Sequence, residues 1–518
     1  MTSYQKVLQQ RRQQMSRLTL TRRALLQGSM SGLLYAPFAG AANSFAQPEN
    51  VARVHSALAK DLRARVVGPV HVFGEPNYEL KRTDVWSRLV PARFPQAIVT
   101  ASKVEDVVAT VQYAAANGFR VSIRGGGHNW SVSSLRDDAI LLDLGQLRSM
   151  RIDPSSRRAK ISPGVSSAAL VEAASPYGLG FPVAHCPSVP LSGFLLNGGF
   201  GWNTNTWGTA AAHIEEMSIV TADGELLRAS ERENSELFWA ARGSGPGFFG
   251  VVVEFVLNLQ TLPKEIRAAN FIVPLSLAGE MAQWVDDKRD EIPVNVELAY
   301  LVANGGGIAT DPGLCAVSAV SFRDNAADAL DDLSFLEDFP LASRALVHES
   351  GVPTSFEDLL ETTSSLFPPG LRYLGNTHWT EEPLNDFYPQ YAEHLTGAPT
   401  PFAFSNCVLY PTRHQNTPSL PDAAVSMQRQ VLCLHYAIWE SEFGDSQNHA
   451  WFRKSDDLFK PHSQGHYIGE TDLNLFPENA GGSYSGPAWQ QIQELRKRHD
   501  PQGLFYDYLQ GESLSTPG

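Results

Sequence analysis

The chain has 518 residues, 43% of them hydrophobic and 19% charged, which is typical of a globular protein large enough for two domains. Its formal net charge of −14 argues against nucleic acid or an anionic membrane as a partner. The four cysteines, Cys186, Cys315, Cys407 and Cys433, are too scattered for a disulfide framework or a cysteine-based metal site, and we predict no metal.

Residues 1–46 have the pattern of a bacterial export signal. A basic region that ends in Arg22-Arg23 precedes a short apolar stretch, and small residues at Ser44 and Ala46 precede Gln47. The paired arginines favour the twin-arginine export machinery, and the apolar stretch is too short for a stable membrane span. We therefore predict a periplasmic or secreted protein; the alternative is an amphipathic or disordered tail. Removing the six basic and no acidic side chains of this segment changes the net charge from −14 to −20.

An approach segment, residues 47–89, is expected to begin with a helix and to continue as loop and turn over 78–86. A half-buried strand is then predicted at 119–123, where apolar and polar residues alternate. It leads directly into Arg124-Gly125-Gly126-Gly127-His128. Consecutive glycines can direct several backbone N–H groups into one phosphate-binding concavity. His128 would lie beside whatever molecule carries those phosphates.

Two more glycine-rich loops follow, one over residues 192–202 and one over 243–250, which runs into the strand Val251–Val256. Three such loops, each next to a strand, indicate several backbone contacts with one long phosphate-bearing cofactor. The run Gly243-Ser244-Gly245-Pro246-Gly247 lacks the glycine spacing of a Rossmann fingerprint, and its proline stands where a helix should begin. A nicotinamide cofactor is thus disfavoured.

The second half of the chain alternates strand-like runs with acidic amphipathic helices. This pattern predicts an antiparallel sheet with helices on one face. We expect strands at 271–273, 296–300, 316–320, 402–410 and 431–439, and helices at 326–339 and 488–498.

Four motifs follow one another in the chain: Arg124–His128, Cys186–Val189, Gly198–Gly201 and Glu236–Gly245. Their order resembles that of the vanillyl-alcohol-oxidase/p-cresol-methylhydroxylase (PCMH) flavoproteins, and most closely their berberine-bridge-enzyme-like oxidases. The resemblance is dense from Pro95 to Val256 and returns at His499–Phe505. It implies an α+β fold whose PCMH-type FAD-binding domain, residues 90–265, has two α+β subdomains. A substrate domain at 266–470 would contain the antiparallel sheet backed by helices, and a C-terminal segment, 471–518, would return to the FAD domain.

The same resemblance implies an FAD bonded through its 8α carbon to His128 and through C6 to Cys186. The alternative is an FAD attached by a single bond to His128. Covalent attachment would raise the flavin potential and prevent loss of the cofactor. Val189 corresponds to a position that gates oxygen in the family, and valine there favours an oxidase. The other readings are a turn histidine for His128 and a buried apolar cysteine for Cys186. The predicted cofactor-binding residues are Arg124, Gly125, Gly126, Gly127, His128, Cys186, Val189, Gly193, Gly198, Gly199, Gly201, Gly243, Gly250 and Val252.

Oxidation of an alcohol also requires a general base, and the candidates are Tyr436, Tyr467 and Tyr508. His435 and Tyr436 are neighbours on one strand, so only one of them can face the flavin. The sequence predicts removal of a hydride from a C–H next to oxygen or nitrogen of a small alcohol, sugar-like or alkaloid/amine substrate, with electrons passed to oxygen. The alternatives are a periplasmic dehydrogenase that uses an electron carrier and a non-catalytic flavin-binding protein.

Overall fold

The computed structural model describes residues 48–304, 313–410 and 418–509, with side chains from residue 55. The predicted export signal, residues 1–46, lies outside the described residues. The α-helices are Pro48–Arg63, Tyr78–Arg82, Val104–Asn117, Ser167–Ala174, Leu191–Leu196, Thr204–Trp207, Ser235–Ala241, Ala278–Lys288, Ala326–Leu333, Phe356–Ser364, Tyr388–Leu395, Asp445–Phe459, Asn479–Gly482 and Gly486–His499. No helix within these described ranges combines the length and the apolar character that a membrane crossing needs.

The first sheet has four strands in the order β1-β2-β4-β3. They are β1 (Val70–Val72), β2 (Ala97–Thr100), β3 (Arg120–Arg124) and β4 (Ala139–Asp143). The last three are mutually parallel, and helix Val104–Asn117 connects β2 to β3. Because parallel strands present their carboxyl ends at one edge, the glycine loop after β3 starts beside the end of β4.

The approach segment differs from the prediction in two places. Its strand β1 pairs with β2 and so belongs to the first sheet. A short helix, Tyr78–Arg82, forms where loop and turn were expected. Local contacts stabilise it, because Arg82 pairs with Glu79 one turn away and the Tyr78 hydroxyl donates to the Pro95 carbonyl at 2.6 Å.

The second sheet is antiparallel, with the order β5-β6-β10-β8-β9. Its strands are β5 (Met150–Asp153), β6 (Arg158–Ile161), β8 (Ile214–Val220), β9 (Leu226–Ala229) and β10 (Val251–Asn258). A two-stranded ribbon joins β7 (Leu179–Gly180) to β11 (Gln260–Thr261). The two sheets, each with its own helices, confirm the predicted pair of α+β subdomains.

The third sheet has seven antiparallel strands in the order β15-β12-β14-β13-β17-β18-β16. They are β12 (Glu265–Pro274), β13 (Val296–Asn304), β14 (Gly313–Arg323), β15 (Val347–Thr354), β16 (Arg372–Thr380), β17 (Phe404–Leu409) and β18 (Val431–Trp439). Helices 278–288, 326–333, 388–395 and 445–459 pack on one face. The prediction of an antiparallel sheet backed by helices is confirmed, although β15 and β16 were not foreseen and the helix predicted over 326–339 ends at Leu333.

Alternation along β13 shows how this sheet separates two environments. Leu298, Tyr300 and Val302 lie in the apolar core beneath the helices. Glu297 and Leu301 point to the other side, toward the glycine-rich loops.

The C-terminal segment returns to β3. Val121 donates its N–H to the Leu504 carbonyl at 2.7 Å and accepts from the Tyr506 N–H at 3.1 Å. The Asp500 carboxylate accepts from the N–H groups of Leu504 and Phe505 and holds this turn.

Candidate active site

One cavity of about 420 Å³ lies between the glycine-rich loops and the open face of the third sheet. It brings together most of the residues that the sequence predicts. Those that line it are Arg124, Gly125, Gly126, Gly127, His128, Cys186, Val189, Gly193, Gly250, Val252, Tyr436 and Tyr467.

The loop Gly125–Gly127 packs tightly against the segment that begins at Pro190. A Cβ on Gly126 would lie 2.0 Å from Pro190 Cγ, and a Cβ on Gly125 would lie 2.3 Å from Ser192 Oγ. Gly127 adopts φ 69°, in the left-handed region that favours glycine. Only glycines let the two segments approach this closely at the carboxyl edge of β3.

Buried polar atoms in the cavity wall fit a polar cofactor. Ser122 Oγ, Ser192 Oγ and Asn197 Oδ1 are buried and have no hydrogen-bond partner among the described residues. A buried polar atom without a partner costs stability, and phosphate or ribityl oxygens and hydroxyls would supply partners here. The hydrogen-bonding groups of the wall thus suit FAD.

Arg124 fixes the start of the glycine loop. Its guanidinium lies 2.7 Å from the Asp143 carboxylate, and both side chains are buried. The two residues are register partners at the ends of the parallel strands β3 and β4. Asp143 also accepts from the Gly145 N–H at 2.9 Å. Although Arg124 lines the cavity, its charge is committed to Asp143, which makes it a positioning residue for the loop.

His128 presents a neutral imidazole to the cavity. Its ring stacks on the Trp86 indole with centroids 4.5 Å apart, and Trp86 donates its backbone N–H to the Gly127 carbonyl. Burial lowers the pKa of His128 to about 4, although a hydrogen bond with the Ser188 backbone opposes that shift. A neutral ring keeps a nitrogen lone pair, which is the state that a nucleophilic addition requires.

The surroundings of Cys186, unlike those of His128, disfavour the nucleophilic form of the side chain. Burial, and secondarily the nearby Glu470 carboxylate, raise the pKa of its thiol well above the ordinary value. The thiol is therefore protonated at neutral pH, and a covalent bond through Cys186 would require that its proton be removed first.

Tyr436 and Glu470 form a short hydrogen bond in the cavity. The Tyr436 hydroxyl donates to Glu470 Oε2 at 2.5 Å. Burial raises the pKa of Glu470 above its ordinary value, while hydrogen bonds from Tyr436 and the Trp130 indole and the charge of His185 oppose the rise. Burial also raises the pKa of Tyr436. A carboxylate with a raised pKa, bonded to a hydroxyl that faces the cavity, is suited to accept a proton.

A second pair, His185 and Glu297, lies in the same wall. His185 Nε2 is 2.7 Å from Glu297 Oε1, and Glu297 is 6% exposed. Burial lowers the pKa of His185, but the Glu297 carboxylate outweighs it, so the net pKa lies above the ordinary value. Glu297 Oε2 also accepts from the Asn203 N–H. The pair joins a buried carboxylate to a half-buried imidazole, and the charge of His185 acts on Glu470.

The other two tyrosines have different surroundings. Tyr467 lines the cavity, and hydrogen bonds with the Phe200 and Gly199 backbone partly offset the rise of its pKa by burial. Tyr508 does not line the cavity: its hydroxyl donates to the Ser244 carbonyl at 2.8 Å and lies 3.0 Å from that of Tyr484. Tyr508 stabilises the third glycine loop from behind, which corrects its prediction as a catalytic candidate.

Four predicted cofactor glycines also lie off the cavity wall. Gly198 and Gly243 pack against Val425, where a Cβ would approach within 2.6 and 2.1 Å of its atoms. Gly199 packs against Ala210 and Phe194, and Gly201 lies against the Val183 carbonyl. These positions require glycine for close packing between segments, so the glycine pattern overestimated the direct contacts.

His435 faces away from the cavity, because successive side chains on a strand point to opposite faces and Tyr436 lines the cavity. It is 1% exposed and lies behind the sheet with His378 and Asp456, where Asp456 Oδ1 is 2.9 Å from His378 Nε2 and 3.6 Å from His435 Nε2. Among the described residues, this is the group of histidines and carboxylates with ligand atoms close enough for a metal. It lies outside the cavity, on the helix side of the sheet.

The chain is similar to several proteins that bind FAD or are named as FAD-linked enzymes. Residues 95–230 match the family described as an FAD binding domain. The FAD-linked oxidoreductase nodO of Hypoxylon pulicicidum is 29% identical over 429 residues, which cover 82% of this chain and 93% of that protein. The (R)-6-hydroxynicotine oxidase of Paenarthrobacter nicotinovorans is 39% identical over 198 residues, 38% of this chain and 43% of that enzyme. A solved structure of a berberine bridge enzyme variant, 18% identical, has the same fold with a TM-score of 0.73 over 87% of this chain and 98% of its own.

The chain contains an FAD binding domain and is similar to FAD-linked oxidoreductases and oxidases. These findings agree with the resemblance that the motifs indicate, and they support FAD as the cofactor and an oxidoreductase activity.

Three ionisable residues of this FAD-linked oxidoreductase were missed from the sequence: Glu470, His185 and Glu297. For two of these residues, the sequence contains a feature that could have identified them. Glu297 is a carboxylate on an otherwise apolar strand, and His185 directly precedes the predicted flavin cysteine. Glu470 lies in a segment without helix or strand, and its position beside Tyr436 depends on a contact across 34 residues.

Proposed function

We propose that this oxidoreductase is an exported oxidase that oxidises a C–H bond next to an alcohol oxygen or an amine nitrogen, with oxygen as the final electron acceptor. The observation that carries the proposal is the buried hydrogen bond between Tyr436 and Glu470 in the cavity. The name of the nicotine oxidase relative and the valine at position 189 support oxygen as the acceptor. Export rests on the twin-arginine pattern of residues 1–46.

A bound FAD would accept the hydride, which carries the two electrons removed from the substrate. Gly125–Gly127, Ser192 and Asn197 would hold its polar groups, and Arg124 keeps the loop in place through Asp143. His128 would form the covalent bond, since its imidazole is neutral. Cys186 is the second attachment point in the proposal, and Glu470 is the base that would take its thiol proton.

The protein moves the substrate proton through two side chains. Tyr436 accepts the proton of the substrate hydroxyl while its own proton passes to Glu470 over the 2.5 Å hydrogen bond. The raised pKa of Glu470 makes it a stronger base than an exposed carboxylate. The His185–Glu297 pair lies close enough for the charge of His185 to act on Glu470. Glu470 is thus the terminal base and Tyr436 is the group that touches the substrate.

The first experiment measures the intact mass of the denatured protein, with its visible spectrum, for the wild type and for the His128→Ala and Cys186→Ala variants. Two covalent bonds predict that one FAD stays attached until both residues are replaced. Loss of FAD in His128→Ala alone would reduce the attachment to one histidyl bond. Release of FAD from the denatured wild-type protein would overturn covalent attachment.

The second experiment reduces the holoenzyme anaerobically with a panel of alcohols and amines and then admits air. Reduction followed by rapid reoxidation supports the oxidase. Reduction without reoxidation would establish the dehydrogenase that passes electrons to a carrier. Retained flavin that no substrate reduces would contradict catalysis.

A further inference from the structure

The cavity wall opposite the glycine loops is the open face of the third sheet. Five adjacent strands, β12, β14, β13, β17 and β18, each present alternate side chains to it. At a spacing of about 4.8 Å between strands, this wall extends about 19 Å across the sheet. It is much longer than one sugar ring.

The wall is mostly hydrocarbon. These five strands contribute fourteen side chains to the cavity, of which nine are Ala, Val, Leu or Phe and none is Lys, Arg or Asp. Glu297 is the one carboxylate among the fourteen, and its charge is paired with His185. A ligand that lies along this wall gains mainly from burial of its own apolar surface.

Register pairing shows which apolar residues are neighbours on the wall, where Ser318 and Asn406 are the polar partners of Ala299 and Leu301. Leu301 on β13 is the partner of Ala316 on β14. Val408 on β17 is the partner of Ala299 on one side and of Leu432 on the other. The small side chains, Ala299 and Ala316, make the centre of the wall recessed relative to its leucines. A bulky apolar group fits this recess.

Two polar sites on the wall lie far apart, with Glu297 and Asn406 on the strands between them. At one end, on β18, Tyr436 meets Glu470. Toward the other end, the Ser318 hydroxyl on β14 donates to Asn270 Oδ1 on β12 at 2.9 Å. Three strand spacings, about 14 Å, separate β14 from β18, and the register places Ser318 in the row of Leu432, four residues or about 13 Å along the strand from Tyr436. The two polar sites are thus about 19 Å apart. The wall is therefore polar where the substrate is oxidised and again near its far end.

A sugar does not match this arrangement, because most of its hydroxyls would be buried against hydrocarbon without a hydrogen-bond partner. We propose that the substrate is an elongated, mostly hydrocarbon alcohol with a second oxygen function at its far end. The oxidised carbon lies at Tyr436, the apolar body lies on Ala299, Ala316 and Leu301, and the second oxygen binds Ser318 or Asn270. This inference rests on the proposed oxidation at Tyr436 and Glu470.

The test measures anaerobic flavin reduction by the holoenzyme with 1-butanol, 1-hexanol, 1-decanol, 1,10-decanediol and D-glucose. We expect kcat/KM to rise about fourfold for each added methylene, as burial of apolar surface predicts. The diol should exceed 1-decanol because its second hydroxyl reaches the Ser318 end. Glucose as effective as 1-decanol would overturn the inference.

Two variants at one position locate the binding surface. Ala316→Phe fills the recess and should raise the KM for 1-decanol at least tenfold, with little effect on 1-butanol. Ala316→Ser, the matched control, changes the volume little and should leave the ranking of alcohols intact. Equal effects of Ala316→Phe on both alcohols would contradict the assigned wall.

Binding can also be measured in the absence of turnover. The measurement is the change in the absorbance of the oxidised flavin when each compound is added. Perturbation by 1-decanol without oxidation would refute the proposed function and support the substrate class. Perturbation by glucose and none by 1-decanol would refute the substrate class, whatever the fate of the proposed oxidation.

Discussion

Replacement of Glu470 by glutamine tests the proposed chemistry most directly. Glutamine keeps the shape of the side chain and a hydrogen bond to Tyr436, but it cannot accept a proton. Without the carboxylate, the proton of the Tyr436 hydroxyl has no buried acceptor, and burial already raises the pKa of that hydroxyl. Proton removal from the substrate then depends on water.

The size of the effect follows from two contributions. A hydrogen bond to a charged partner, such as the 2.5 Å contact between Tyr436 and Glu470, contributes about 1.5–3 kcal/mol, or roughly 10- to 150-fold in rate. Loss of a general base costs about 100- to 10,000-fold overall. We expect flavin reduction in Glu470→Gln to slow within that wider range.

Anaerobic stopped-flow absorbance measures this rate directly. The wild-type rate should rise with pH through the pKa of Glu470, which burial places above 4.5, and the Gln variant should lose that rise. Tyr436→Phe should slow reduction similarly, and the double variant little more, because the two residues act as a unit. Glu254→Gln, at an exposed ion pair with Lys160, serves as the control.

Stability separates this effect from misfolding. A carboxyl whose pKa is raised in the folded state destabilises the fold once pH rises above its unfolded pKa. Glu470→Gln removes that cost, so its melting temperature should equal or exceed that of the wild type at pH 7. A variant that retains more than a third of the wild-type reduction rate would refute the role of Glu470 as base.

Three further predictions concern the frame of the site. Arg124→Met leaves the buried Asp143 carboxylate unpaired, which should lower the free energy of unfolding by about 3–5 kcal/mol in urea titrations; an unchanged midpoint would contradict this. Gly126→Ala brings a Cβ within 2.0 Å of Pro190 and should reduce the FAD content per protein, whereas Gly486→Ala, with no atom within 4 Å, should not. Burial lowers the pKa of His435 to about 3 and of His466 to about 4, so the unfolded chain binds protons that the folded chain does not. Stability should therefore fall as pH drops from about 6.5 to about 4, with a slope of about 1.4 kcal/mol per pH unit for each histidine, and His435→Gln should flatten the urea-midpoint profile.

The strands that form the cavity wall could be predicted because their signal is local. In β18, the run from Val431 to Trp439 is rich in residues that favour strands. Because neighbouring side chains on a strand point to opposite faces, only one of His435 and Tyr436 could line the cavity, and Tyr436 does. The glycine loop after β3 could also be predicted from the sequence, because three consecutive glycines follow a segment in which apolar and polar residues alternate.

Strands β15 and β16 could not be predicted from the sequence, and the reasons are physical. Strand β15 contains Gly351 and Pro353, and β16 is interrupted by polar residues at Asn376 and His378, so neither shows the period of a strand. Both side chains bind a distant partner, the Asp456 carboxylate, which lies 2.6 Å from Asn376 Nδ2 and 2.9 Å from His378 Nε2. The roles of Glu470 and of the Val425 glycine contacts likewise depend on residues far away in the chain.

The pairing of Val121 with Leu504 and Tyr506 sets an order of events during synthesis. The strand that carries the cofactor loop leaves the ribosome long before its outer hydrogen-bond partners, Leu504 and Tyr506, which are synthesised more than 380 residues later. Until then β3 is an edge strand with unpaired backbone groups. FAD loading should accordingly be a late, post-translational event, and a nascent chain stalled before residue 500 should neither retain the flavin nor protect Val121 from amide exchange.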